Sequence, residues 1–201
     1  MSAKHQLSGL ATTGRVKWKR LAVVILPAAA IAAILIGLTA EGAIAANVSV
    51  SGQQFLVTAT QLNGTGFEQF GSEVNASGSG TQPVIVSGIG SATLTSLCQA
   101  VKAGPITMRL TAGQGSTPVQ ATNLIVDASS LGGSQAVFHD ITIGQDAGTL
   151  TATPGTAGAS GGFGEQAATI TIHNLVQHTW LTTAGTFTLP GLNLSFGGSC
   201  P

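Results

Sequence analysis

The residue types that could do chemistry are sparse in this chain, and their settings differ. Gly158-Ala159-Ser160-Gly161-Gly162 is a literal G-x-S-x-G. Such a serine is an acyl-transfer nucleophile when it rides a strained turn between a strand and a helix, beside an oxyanion-hole amide. Asp140 (or Asp127) lies upstream and His173 downstream, so Ser160, His173 and Asp140 supply the residue types of an ester-hydrolysing triad. The setting is missing. No apolar strand pattern precedes Ser160, no helical pattern follows it, and the stretch is glycine-rich enough to produce the match by composition. No catalytic constellation is expected from the residues alone.

Metal and sugar chemistry fare no better. His173 and His178 have a spacing that a zinc finger tolerates, but no cysteine pair precedes them. Their odd separation also places them on opposite faces of a strand. No metal and no other cofactor is expected. A glycosidase pair would have to come from Glu68, Glu73 and Glu165, and the first two border a polar Gly/Ser stretch where solvated acids are ordinary. Trp180 beside His178 is the one place that resembles a binding patch. The phenylalanines sit in alternating patterns that read as core.

These residues must be positioned by strands. From Asn47 onward apolar residues recur at spacing two, as in Phe55, Val57 and Ala59, and the same pattern returns in ATLTSL (92–97), ITMRL (106–110), VQATNLIV (119–126), AVFHDITI (136–143) and AATITI (167–172). Asn63-Gly64 inside QLNGTG marks a tight turn, residues 71–83 read as a polar loop, residues 154–164 as a glycine-rich loop, and Pro190-Gly191 as a bend. The best helix candidate is Leu97–Lys102, too short to stand alone. About ten short strands argue for an all-β fold, an antiparallel β-sandwich or barrel-like domain.

What precedes the strands is of another kind. Arg15, Lys17, Lys19 and Arg20 stand before the uncharged run 21–40, and Ala43-Ile44-Ala45 follows as an A-x-A cleavage pattern. Basic, apolar and small residues in that order mark a segment handed to a translocon. The run is also long enough to span a bilayer as a helix, so residues 15–45 read as a signal peptide cut after Ala45 or as an uncleaved anchor that holds the protein in the membrane. Residues 1–14 read as a disordered cytoplasmic tail and residues 46–201 as an exported domain, secreted or anchored with the domain outside the cell. There the two cysteines, Cys98 and Cys200, are expected to form a disulfide.

Subtracting the leader exposes a hidden charge. Only Lys102 and Arg109 follow Ala45, against Glu68, Glu73, Asp127, Asp140, Asp146 and Glu165, which leaves the domain at −4. Two isolated cations cannot neutralise a phosphate backbone, so no nucleic-acid partner is expected. Charged residues make up 7 % of the chain, well under the ordinary quarter. A surface of hydroxyls and amides suits an exported β-protein, or one that packs on lipid or on its own copies.

The chain resembles a family of small exported proteins from filamentous, Streptomyces-type actinobacteria whose domain has no assigned function. The resemblance rests on Trp18-Lys19-Arg20 before the alanine-rich leader, SVSGQQF (49–55), VTATQLNGTGF (57–67), ATLTSLCQ (92–99), LTAG (110–113), ATNLIVD (121–127) and WLTTAGTFTLPGLNLSF (180–196). It implies an envelope-associated β-protein. Members of that family carry the label cholesterol esterase, which implies hydrolysis of lipid esters but brings no catalytic residues to carry over. Two functions are therefore set against each other, a non-catalytic envelope or surface protein that contacts lipid or itself and a secreted lipid (cholesteryl) esterase, with a carbohydrate-binding module, suggested by the β class alone, as a third.

Overall fold

A computed structural model describes residues 51–201. The tail and leader expected over residues 1–45 lie outside the described residues. Everything described is strand or loop apart from one turn of 3-10 helix, Ala147–Thr149.

Two long antiparallel ribbons form the frame. β1 (Phe55–Ala76) pairs with β2 (Gly80–Thr95), and past Ser96 the same register continues into β3 (Leu97–Ala103), so that Gln61 faces Thr95 and Thr58 faces Cys98. β4 (Ile106–Ala112) returns along β3. In the second ribbon β8 (Phe163–Thr183) is matched in turn by β5 (Val119–Gly132), β6 (Gln135–His139) and β7 (Thr142–Asp146). β9 (Thr186–Thr188) folds back on β5, and β10 (Asn193–Phe196) lies on β4. Pairing of β2 with β5 joins the ribbons on one side and pairing of β1 with β8 joins them on the other, so the path β1-β2-β5-β8 closes on itself. β3, β4 and β10 extend from β1 as an arm that ends at β10.

Alternation explains the interior. Val57, Ala59, Ile89, Leu94, Leu124, Val126, Ile170 and Ile172 are all buried in one cluster, and the rings of Phe67 and Phe138 meet there at 5.4 Å. The void left among these side chains is about 40 Å³, room for water but far below a small-molecule site. The ring is a packed core. A second cluster, with Phe70, Val86, Leu150 and Trp180, fills the space under the loop that follows β7.

Local turn signals lost to long-range pairing at several points. Asn63-Gly64 makes no turn: Asn63 faces Thr93 and Gly64 faces Ala92 within β1. Gly64 serves close approach instead, since a Cβ there would meet Ile89 Cγ2 at 2.6 Å and Ile170 Cγ2 at 3.0 Å. The polar stretch 71–83 is mostly ladder, interrupted only over residues 77–79. Leu97–Lys102 is strand, because β1 and β4 bond both its edges. The run at 167–172 belongs to a much longer strand, β8, which continues to Thr183. Pro190-Gly191 does separate two strands, β9 and β10, and Gly191 takes φ 64° to do it. Cys98 and Cys200 form the expected disulfide.

Candidate functional site

The arm carries the surface that most needs explaining. Directly opposed residues of an antiparallel sheet share a face, so the register fixes two rows across it. One is Phe55, Val101, Met108, Phe196; the other is Val57, Gln99, Leu110, Leu194. The second row begins in the core, where Val57 is 6 % exposed, and reaches the open at Leu194, 60 % exposed; Phe196, which ends the first, is 73 % exposed. Leu192 and Ile106 add to the exposed apolar patch. The core face thus runs out from under its cover.

Three devices place β10 at the end of these rows. The Pro190-Gly191 bend turns the chain toward β4, and the Gly113 amide donates to the Pro190 carbonyl at 2.8 Å. Gly197 and Gly198, with φ 83° and 78°, turn it back, a conformation that glycine adopts without a Cβ clash. The disulfide then ties Cys200 to β3. An edge strand of alternating apolar residues is a liability that soluble proteins ordinarily blunt with charge or cover. Here it is held in place and left open.

Charge follows the same division. Lys102 and Arg109 both stand on the arm, and residues 97–112 and 190–201 contain no Asp or Glu. The six acids lie on β1, β5, β7 and β8 and in the turn after β6. Burial raises three of them, Asp127, Glu165 and Glu68, from the ordinary carboxylate value. Glu68 is 0 % exposed. Its Oε2 accepts the Thr153 amide at 2.9 Å, while Oε1 has no partner among the described residues. The amides of Thr153 and Ala152 offset part of the rise. Glu68 therefore clamps the glycine-rich loop onto β1; Glu73 is exposed and Glu165 lies opposite Ile143 on β8.

The residues that sequence reasoning singled out lie apart. Ser160 is exposed in the loop, and the neighbouring Gly161 amide donates to Asp146, whose strand partner is Phe163. Asp140 occupies a left-handed turn (φ 54°) after β6. His173 faces Gln135, ten residues along β8 from Phe163, roughly 33 Å of strand at about 3.3 Å per residue. The three are not brought together. One Ser–His contact that the sequence could not announce does form: Ser130 Oγ and His178 Nδ1 meet at 3.1 Å across β5 and β8. Both are exposed, and no described carboxylate orients the imidazole.

Two further expectations change. Asn174 takes φ 48° between buried Ile172 and buried Leu175, so the alternation slips and His173 and His178 both fall on the outer face. Even so, no group of three His, Cys, Asp or Glu side chains among the described residues is placed to hold a metal. Trp180 is 8 % exposed and packs in the second cluster, so it is core and not a surface platform.

Among known proteins, residues 51–201 match the family of unknown function DUF6230. No curated protein and no solved structure shows significant similarity to the chain.

Proposed function

Taking as premise that the chain belongs to this family of unknown function, we propose that it is an extracytoplasmic, non-catalytic envelope protein whose β3–β4–β10 arm docks on a lipid surface. The observation that carries this reading is the apolar face that leaves the core at Val57 and ends exposed at Leu194 and Phe196. Exposed apolar surface partitions into the interface of a bilayer, and the arm carries no Asp or Glu; Lys102 and Arg109 alternate with Val101, Met108 and Leu110 and so stand on its opposite face. A second exposed patch, Ile143 and Phe163, is a poorer candidate, because Glu165 and Asp146 are their direct strand partners.

The disulfide is compatible with an oxidising compartment. Self-association is the second reading, favoured by the place of β10 at the end of the sheet, where unpaired backbone groups can template another strand. The esterase reading draws no support from the placement of Ser160, His173 and Asp140.

The test is co-sedimentation of the exported protein with vesicles. It is expected to pellet with phosphatidylglycerol-containing and with purely zwitterionic vesicles, and to lose binding in Leu194→Ser/Phe196→Ser. Burying Phe196 from 73 % exposure is worth about 1–2 kcal/mol, and Leu194 about as much. The double variant should thus bind on the order of 100-fold more weakly. Concentration-dependent oligomers with no vesicle binding would favour self-association, and turnover of cholesteryl esters by the wild-type domain would restore the esterase.

A further inference from the structure

The opposite face of the arm carries a different kind of surface. Arg109 and Thr111 point away from the apolar rows, since they alternate with Met108 and Leu110 along β4. With Thr58, Thr60, Gln114 and Asn174 they line a groove of about 710 Å³, within the range of small-molecule sites. Ala59, Leu175, Val176 and Pro201 give it an apolar part, and no carboxylate side chain and no aromatic ring lines it. We infer that this groove is a binding site for a saccharide that bears an oxyanion, a phosphate or a carboxylate.

Four observations support a built site. Thr58 is 5 % exposed and its hydroxyl has no partner among the described residues, although it borders the groove. Arg109 Nε is likewise buried without a partner, so the guanidinium is held with that donor unmatched. Buried polar groups are rarely left so, and each one calls for an explanation. Finally, Gln114 is fixed by its Nε2, which donates to the carbonyls of Leu97 (3.1 Å) and Ala112 (3.4 Å). Ser96 on the wall keeps φ 53°, a strained value for a residue with a side chain.

The lining chooses the ligand class. Hydroxyls and amides exchange hydrogen bonds with sugar hydroxyls, and the guanidinium fork fits the two oxygens of a carboxylate or phosphate. A neutral glycan site would want aromatic platforms, which are absent from the lining. An anion alone would leave the hydroxyl-rich walls unused.

The experiment is an NMR titration of the exported protein, without lipid, against glucose 6-phosphate, glucuronate, glucose and inorganic phosphate. Both anionic sugars are expected to shift the amides of Thr58, Arg109 and Thr111, with glucose and inorganic phosphate each at least tenfold weaker. Arg109→Gln should abolish binding, and Thr111→Val, which keeps the shape of the strand residue, should weaken it several-fold. Phe196→Ser should leave it intact, which keeps this result separate from lipid docking. Inorganic phosphate binding as well as the sugars would overturn the saccharide assignment. Absence of binding by both anionic sugars, or unchanged binding in both groove variants, would overturn the site.

Discussion

Reducing the Cys98–Cys200 bridge should do two separable things. The bridge spans 102 residues of sequence, and closing a loop of that size stabilises a fold by about 4–5 kcal/mol in the chain-entropy model. Domains of this size are stable by about 5–15 kcal/mol, so reduction removes a large share without necessarily unfolding the chain. The second effect is local. β10 has four residues, pairs with β4, and is followed within four residues by Cys200. Without the staple it should peel away first and scatter Leu194 and Phe196. Urea unfolding of oxidised and reduced protein, with Cys98→Ala/Cys200→Ala as the irreversible form, measures the first effect. Hydrogen exchange at Arg109 and Thr111, the partners of Ser195 and Asn193, whose amides lie on the same side of β4 as the Thr107 carbonyl that accepts from Gly197, measures the second. A loss under about 1 kcal/mol together with unchanged exchange on β4 would refute the reasoning.

Other expectations concern the frame. The folded pKa of Glu68 is raised, so the fold favours the protonated carboxyl; that contribution is fullest below the unfolded pKa and is lost as pH rises through the folded one. Glu68→Gln should therefore raise Tm at pH 8 relative to the parent and bring little gain at pH 4, with the remaining slope due to Asp127 and Glu165. Gly64→Ala drives a methyl against Ile89 and Ile170 and should cost about 1–3 kcal/mol by denaturant unfolding. Ser160→Ala, on an exposed loop, should change stability by less than about 0.5 kcal/mol.

The class of the fold was legible because period-two alternation in segments such as Phe55–Ala59 and 167–172 needs no partner to be read. Lengths were not. Asn63-Gly64 carries a strong local turn preference, yet the pairing of β1 with β2 keeps it in the ladder, a choice made by residues thirty positions away. The disulfide was legible because two cysteines in a chain read as exported have one partner each. The candidate site was only half visible. LNLSF alternates plainly, but that its Leu and Phe face outward depends on β10 joining β4 at the end of the sheet. The groove was invisible, since Thr58, Arg109 and Asn174 meet only through register. Trp180 misled for the converse reason: the loop that buries its cluster is held by Glu68 and Thr153, a contact 85 residues apart in sequence.

The most direct measurement of lipid docking is paramagnetic broadening of the unaltered protein in bicelles doped with a headgroup-labelled lipid. The proposed orientation predicts selective broadening at Ile106 and residues 192–196, with Ile143 and Phe163 unaffected. Broadening centred on Ile143 and Phe163, or none at any residue, would contradict it.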